Sequence, residues 1–289
     1  MRRLNGLLMV LLSGLTLEAG ASVRHYVANA SQSQWESSET RIQCELSHNI
    51  PRYGDVMFTS VAGKNLNLEF ELDMLRIPAN YGLASVKSIA PAWKPGVPTK
   101  NISTMSLKKQ FNPDMPQKAA WTMLTELEKG FVPTVYYADW YSPYDKVAVG
   151  LSSINFIKAY DQFLKCVDNL LPYSFDDISY TILSYQSNTD KLTRSSKKRL
   201  TEIGEYLKHS PEIDQIEIDA YADSYGGRWP NMELSKKRAK KIENYLVALG
   251  VEKGRVKVAG FGEKRHVASN KTELGRATNR RVVIQMTRP

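Results

Sequence analysis

Residues 219–250 read DAYADSYGGRWPNMELSKKRAKKIENYLVALG, followed by RVKVAGFGE at 255–263 and GRATNRRVVIQM at 275–286. Ile216, Ile218 and Ala220 alternate with polar residues, the pattern of a half-buried strand, and the segment ends just before Asp223. From Met232 to Leu249 the spacing turns helical, with Ala239, Ile242, Leu246 and Leu249 on one face and Gly250 as the stop. Arg238 lies fifteen residues after Asp223, inside that helix. A strand end and a helix start facing one cleft bring a carboxylate and a guanidinium together. Such a pair suits a zwitterionic ligand, because the Arg forks onto a carboxylate while the Asp accepts from an ammonium.

Working outward, residues 173–289 alternate in type. Strands are predicted at Ile178–Tyr185, Gln215–Tyr221, Arg255–Ala259 and Arg281–Met286, and helices at Thr193–His209 and Met232–Leu249. Strands separated by helices imply crossovers and a mixed sheet with helices on one face, a βαβαββ arrangement. Leu171-Pro172 marks a boundary. Before it, residues 22–172 read as mainly β with two helices, Gln117–Lys129 and Asn155–Leu170. Leu66, Leu68, Phe70 and Leu72 alternate as a strand, and Tyr53–Ser60 and Lys146–Leu151 have strand character. In the second helix, Ile157, Tyr160, Leu164 and Val167 form the expected inner stripe. The fold class is α+β, with a β-rich N-terminal domain followed by a two-layer domain at 173–289.

Residues 1–21 read as a secretory signal: Arg2 and Arg3, an apolar run at Leu7–Leu12, and the small-x-small site Ala19-Gly20-Ala21. The run is far short of the roughly 20 residues that span a bilayer. Ser22 rather than Cys follows the site, which argues against a lipid anchor. An exported, periplasmic chain with no membrane span is expected. Its two cysteines, Cys44 and Cys166, are then expected to be bridged. Cys44-x-x-x-His48 as a nucleophile and base is the competing reading.

Beyond Ser174 the chain holds 22 Lys and Arg against 15 Asp and Glu, a net of +7 out of +9 overall. Charge alone would admit nucleic acid, but a Gram-negative wall is also rich in carboxylates, and no nucleic-acid partner is expected. An enzyme is not expected either. There is no Gly-x-Ser-x-Gly, no His-Glu-x-x-His and no phosphate loop. The histidines, at 25, 48, 209 and 266, show no metal-ligand spacing, so neither a metal nor another cofactor is implied. Asp139 and Asp145 could pair as acid and base, but paired surface acids are commonplace.

Ala222-Asp223-Ser224-Tyr225-Gly226, then Asn231–Ala239 with Leu234-Ser235 and Arg238-Ala239, then Asn279-Arg280-Arg281-Val282 resemble the peptidoglycan-binding domain of the OmpA family. The resemblance implies a βαβαββ fold. It also implies that Asp223 and Arg238 grip the amino-acid end of diaminopimelate in the wall's stem peptide. Asn231 and Leu234 belong to the same motif, and Asn279 and Arg281 are expected as secondary contacts, with Arg280 structural. Asn231, just before the predicted helix, is expected to cap it or hold the loop. The chain departs from the family at Ala220-Tyr221-Ala222, where a threonine hydroxyl is lost, and at Tyr185-Gln186, where a carboxylate becomes an amide. It departs again in the aromatic loop Tyr225–Pro230.

The N-terminal part, with Arg24–Ala28, Ser33–Glu36, Cys44–Pro51, Ala62-Gly63-Lys64, Asp139-Trp140, Val147–Phe156 and Leu170-Leu171-Pro172, resembles the MotY family of sodium-driven flagellar motors. That resemblance implies a periplasmic T-ring component. Its partners would be the basal-body ring proteins and the sodium-driven stator complex. A general envelope-anchoring protein with a different N-terminal partner is the alternative.

Overall fold

A computed structural model of the chain describes residues 22–76, 82–108, 111–139, 145–186, 189 and 191–288. The expected signal segment and Trp140 lie outside them.

The N-terminal region is built on two five-stranded sheets. One runs in the order β1 (Val23–Val27), β10 (Lys146–Gly150), β9 (Val132–Ala138), β6 (Gly82–Ile89), β7 (Lys100–Leu107). The other runs β2 (Trp35–Glu39), β3 (Gln43–Ile50), β4 (Gly54–Val61), β5 (Glu69–Met74), β8 (Asp114–Met115). Alternation sets their inner faces: Cys44, Leu46, Ile50, Val56, Phe58, Phe70 and Leu72 are buried together in one core. Helices α1 (Gln117–Glu128) and α2 (Phe156–Asp168) add to that core.

Two of the elements read from the N-terminal sequence differ in detail from expectation. The strand expected from Leu66 begins at Glu69, because Asn67 closes a turn: its Oδ1 accepts from Val61 N and its Nδ2 donates to Val61 O, both at 2.8 Å. Leu66 is left exposed. In α2 the inner stripe is Phe156, Ala159, Tyr160, Phe163 and Cys166, and Ile157 faces outward. Asn155 stands at φ 61° and the helix starts at Phe156, whose ring meets Trp35 at 4.9 Å and Tyr160 at 4.8 Å. The larger aromatic area takes the core, and Ile157 yields it.

In the C-terminal region β11 (Tyr180–Ser184), α4 (Arg194–Lys208), β12 (Gln215–Ala220), α5 (Arg228–Ala248), β13 (Val256–Gly260) and β14 (Arg281–Thr287) form the expected α+β layer pair. The strand order is β11-β14-β12-β13, with β12 and β13 parallel and β14 antiparallel to both its neighbours. Two short helices were not expected. α3 (Phe175–Ile178) opens with a capping box in which Ser174 and Asp177 bond reciprocally, and α6 (Glu273–Asn279) is capped by Thr272.

The two regions share a seam. Leu171 and Ala62 are buried in the C-terminal core, and Ile42 packs against it. Leu171 N donates to Arg41 O at 2.9 Å, Gly63 N donates to Leu171 O at 3.1 Å, and Lys64 pairs with Asp177. The Cys44–Cys166 bridge, with Cα atoms 5.8 Å apart, fastens the end of α2 to β3 beside this seam. Its sequence separation of 122 residues makes the closed loop long. The chain-entropy account then assigns it about 4–5 kcal/mol. A Cys44→Ser, Cys166→Ser double variant should therefore unfold at a clearly lower urea concentration than wild type. An unchanged midpoint would show that native packing alone carries this region.

Candidate functional site

Three strand ends converge on residue 222. Phe261 N donates to Ala220 O at 2.9 Å, Tyr221 N to Arg281 O at 2.9 Å, and Ala222 N to Gly262 O at 2.7 Å. The loop after β12 is thereby held between the loop after β13 and the root of β14. Asp223 follows directly. Its Oδ1 accepts from Tyr225 N at 3.0 Å, and its Oδ2 accepts from Arg280 Nη1 at 2.7 Å. Gly226 and Gly227, at φ 95° and 92°, then turn the chain into α5. Both lie in the region that side chains with a Cβ avoid.

The inward side of α5 near this turn is polar. Asn231 Nδ2 donates to Asp223 O at 3.0 Å and to Tyr225 O at 3.1 Å. Ser235 Oγ donates to Met232 O at 2.8 Å and accepts from Gly262 N at 2.9 Å. β13 approaches so closely that a Cβ on Gly260 would stand 2.7 Å from Ser235 Oγ. One turn further, Arg238 lays its guanidinium over the Tyr185 ring, 4.2 Å from the centroid. Asp223 and Arg238 are both nearly closed off, at 7% and 5% exposure.

The predicted residues thus take different parts. Asn231 is not the cap, because α5 begins at Arg228 with Gly227 as its N-cap. Pro230 sits in the first turn, where its missing N–H costs nothing. Asn231 instead ties the loop down, the other role the sequence allowed. Leu234 is half-buried on α5.

Asn279 is fully buried: Oδ1 accepts from Val267 N and Ala268 N, both at 3.0 Å, and Nδ2 donates to Ala268 O at 2.8 Å and Asn270 Oδ1 at 3.0 Å. Through these bonds Asn279 clamps residues 267–270. Arg281 is buried in a stack. It lies 4.0 Å over Tyr221, which stacks on Phe261 at 5.2 Å, and the Arg265 guanidinium lies 4.6 Å from the Phe261 centroid. Burial pushes the Arg281 guanidinium below its usual pKa.

Arg280 takes the structural part expected of it, holding the Asp223 carboxylate. The Asn-Arg-Arg run is visible, but not which Arg reaches the carboxylate.

The competing readings lose their geometry. Cys44 is in the disulfide, and His48 is buried, with Nδ1 donating to Gln34 O at 2.6 Å and its ring stacked on Trp35 at 4.4 Å. Asp139 pairs with Arg24 at 3.0 Å, and Asp145 accepts from Ser22 N at 2.8 Å. Among the described residues no group of His, Cys, Asp and Glu could hold a metal ion, and no helix is long and apolar enough to cross a membrane.

A four-stranded sheet layered with helices and carrying this strand-end Asp, with Arg238 on the following helix, defines an OmpA-like domain. The OmpA family matches residues 184–280, and the MotY N-terminal domain matches residues 26–172. The chain belongs to the MotY family of flagellar motor proteins, which is not a family of enzymes. It is 41% identical over 281 residues to the sodium-type flagellar protein MotY of Vibrio parahaemolyticus, covering 96% of each chain. The peptidoglycan-binding protein ArfA of Mycobacterium tuberculosis is 40% identical over 85 residues, 29% of this chain and 26% of that one. The peptidoglycan-associated lipoprotein of Burkholderia pseudomallei has a similar structure, with 24% identity and a TM-score of 0.34, over 37% of this chain and 89% of that one.

Asn279→Ala should destabilise the C-terminal region by about 1–3 kcal/mol, since it removes the partner of part-buried backbone groups at 267 and 268. Chemical denaturation followed by circular dichroism measures it. A variant of wild-type stability with weakened ligand binding would instead restore Asn279 as a direct contact.

Proposed function

We propose that this chain is a periplasmic component of a sodium-driven flagellar motor, a ring protein that associates with the basal body and holds the stator units. Its C-terminal domain, residues 173–289, anchors them by non-covalent binding to peptidoglycan. Its N-terminal domain, residues 22–172, makes the protein contacts. The observation that carries the wall-binding reading is Asp223 fixed at the convergence of three strand ends, with Arg238 on the helix that follows.

The carboxylate of Asp223 already accepts from Tyr225 N and Arg280, and its remaining lone pairs leave capacity for an ammonium. Arg238, a planar fork stacked on Tyr185, suits a carboxylate. A diaminopimelate end carries both groups on one carbon. Asn231, Leu234, Asn279 and Arg281 act on this reading as supports of the loop and cleft. The peptidoglycan-binding name of the ArfA relative agrees with it.

The charge distribution supports the division of labour. None of β2, β3, β4 and β5 contains Lys or Arg, while Glu36, Glu45, Asp55, Glu69, Glu71 and Asp73 stand at outward positions of that sheet. Such a face suits a basic protein surface and repels an acidic wall. The excess positive charge lies in the other half.

The seam means that isolated halves would each expose apolar surface, so the full chain is the better test object. In the full chain, Asp223→Ala and Arg238→Ala should each weaken co-sedimentation with purified peptidoglycan by about 10–100-fold, the loss of a charge-assisted bond. Binding should also fall with salt, and both strains should swim poorly in soft agar. Wild-type pelleting by both folded variants would reduce the pair to a fastening of the loop.

A further inference from the structure

Tyr225 and Trp229 are among the most exposed large side chains of the molecule, at 82% and 74%, and both stand on the loop that carries Asp223. Their backbone is not loose. Tyr225 N is bonded to the Asp223 carboxylate at 3.0 Å and Tyr225 O accepts from Asn231 at 3.1 Å, while Trp229 lies in the first turn of α5. Exposed apolar residues scattered singly need no explanation. Two aromatic rings within five residues, on a pinned loop at the mouth of a ligand site, are a different matter. Tyr and Trp give large contact area for little lost side-chain entropy, which is why they concentrate where binding energy does.

We propose that Tyr225 and Trp229 form a saccharide subsite, stacking on the sugar rings of the glycan strand to which the bound stem peptide is attached. The inference rests on the wall-binding reading of Asp223 and Arg238, and deepens it. Reach supports it. Two stem residues and a lactyl ether separate diaminopimelate from the glycan, and two extended residues span at most about 7 Å. The lactyl ether and the diaminopimelate chain out to its zwitterionic end add roughly as much again, so a sugar is tethered within roughly 15–20 Å of Asp223, a range that takes in the loop of Tyr225, whose N–H is bonded to that carboxylate.

Chemistry supports it too. A pyranose chair presents a flat array of C–H bonds on each face and directs its hydroxyls sideways. An aromatic ring can thus cover one face while the hydroxyls keep their water. The two rings are separated by Gly226, Gly227 and the exposed Arg228, so they do not make the continuous apolar patch of a few hundred Å² that a protein or lipid partner would cover. A sugar needs only one ring each.

The test uses the full chain, with Tyr225→Ala/Trp229→Ala, Tyr225→Phe/Trp229→Phe and Arg238→Ala variants. The probes are intact sacculi, glycan strands stripped of their stem peptides by an amidase, and a free diaminopimelate-containing tripeptide. Wild type should bind stripped glycan with a change in tryptophan fluorescence. The double alanine variant should lose that binding and bind sacculi about tenfold more weakly, with tripeptide affinity unchanged. The Phe pair should restore most of the loss. Arg238→Ala, which leaves the Asp223–Tyr225 bond in place, should do the reverse, losing the tripeptide and keeping the stripped glycan.

Aromatic-dependent glycan binding with no tripeptide binding by wild type would overturn the stem-peptide reading and leave this one standing. Wild-type affinity of the alanine pair for sacculi would overturn the proposal. So would a matching loss of tripeptide binding in that pair, which would mean that the rings only shape the loop. Ring-dependent binding to phosphatidylglycerol vesicles in place of glycan would overturn it as well.

Discussion

The cleft depends on the ion pair between Asp223 and Arg280. Both side chains are largely shielded, at 10% and 13% exposure, and the contact is 2.7 Å long. A buried pair of this kind adds little net stability, because both charges have been taken from water, but removing one partner leaves the other stranded at a cost of about 3–5 kcal/mol. Its value here is positional. It joins the loop after β12 to the root of β14, and so fixes the direction of Tyr225 and the turn into α5. The glycine at 260 lets α5 lie against the end of β13, and Ser235 and Asn231 complete the hold. Every group that would face a ligand is thus placed by backbone that cannot move independently.

The seam gives this site mechanical meaning. A protein that holds stators against reaction torque needs a stiff path from its motor-facing half to its wall-facing half. Leu171, Ala62 and Ile42 carry the N-terminal region into the C-terminal core, and the Cys44–Cys166 bridge secures the helix that leads there. The two halves meet through packed side chains and backbone hydrogen bonds rather than a free linker. On the proposed function, load taken up by the acidic sheet passes through that seam to the cleft.

Much of this was legible in the sequence, and the exceptions have physical causes. The C-terminal sheet could be read because β11 and β12 alternate cleanly and α5 stops at Gly250. β6 and β7 were missed because their inward positions are masked by polar ones: Ser88 is buried, and its hydroxyl donates to Glu126 at 2.7 Å. The start of α5 was set too late because Pro230 was read as outside the helix when it occupies the first turn. In α2, Tyr160, Leu164 and Val167 pack on the core as their spacing implies, while Ile157 gives way to the aromatic volume of Phe156 and Phe163. At the site, residue types were readable and directions were not. Asn279 and Arg281 belong to the motif, yet one is consumed by backbone bonds and the other by a cation–π stack.

The most direct test of the central claim is a titration of the isotope-labelled full chain with a free diaminopimelate-containing stem tripeptide, followed by amide NMR shifts. The account predicts saturable shifts concentrated at Ala222–Tyr225 and at Ser235–Arg238, which vanish in Asp223→Ala. Shifts confined to the open sheet face around Tyr180 and Ile182, or none at millimolar peptide, would contradict it.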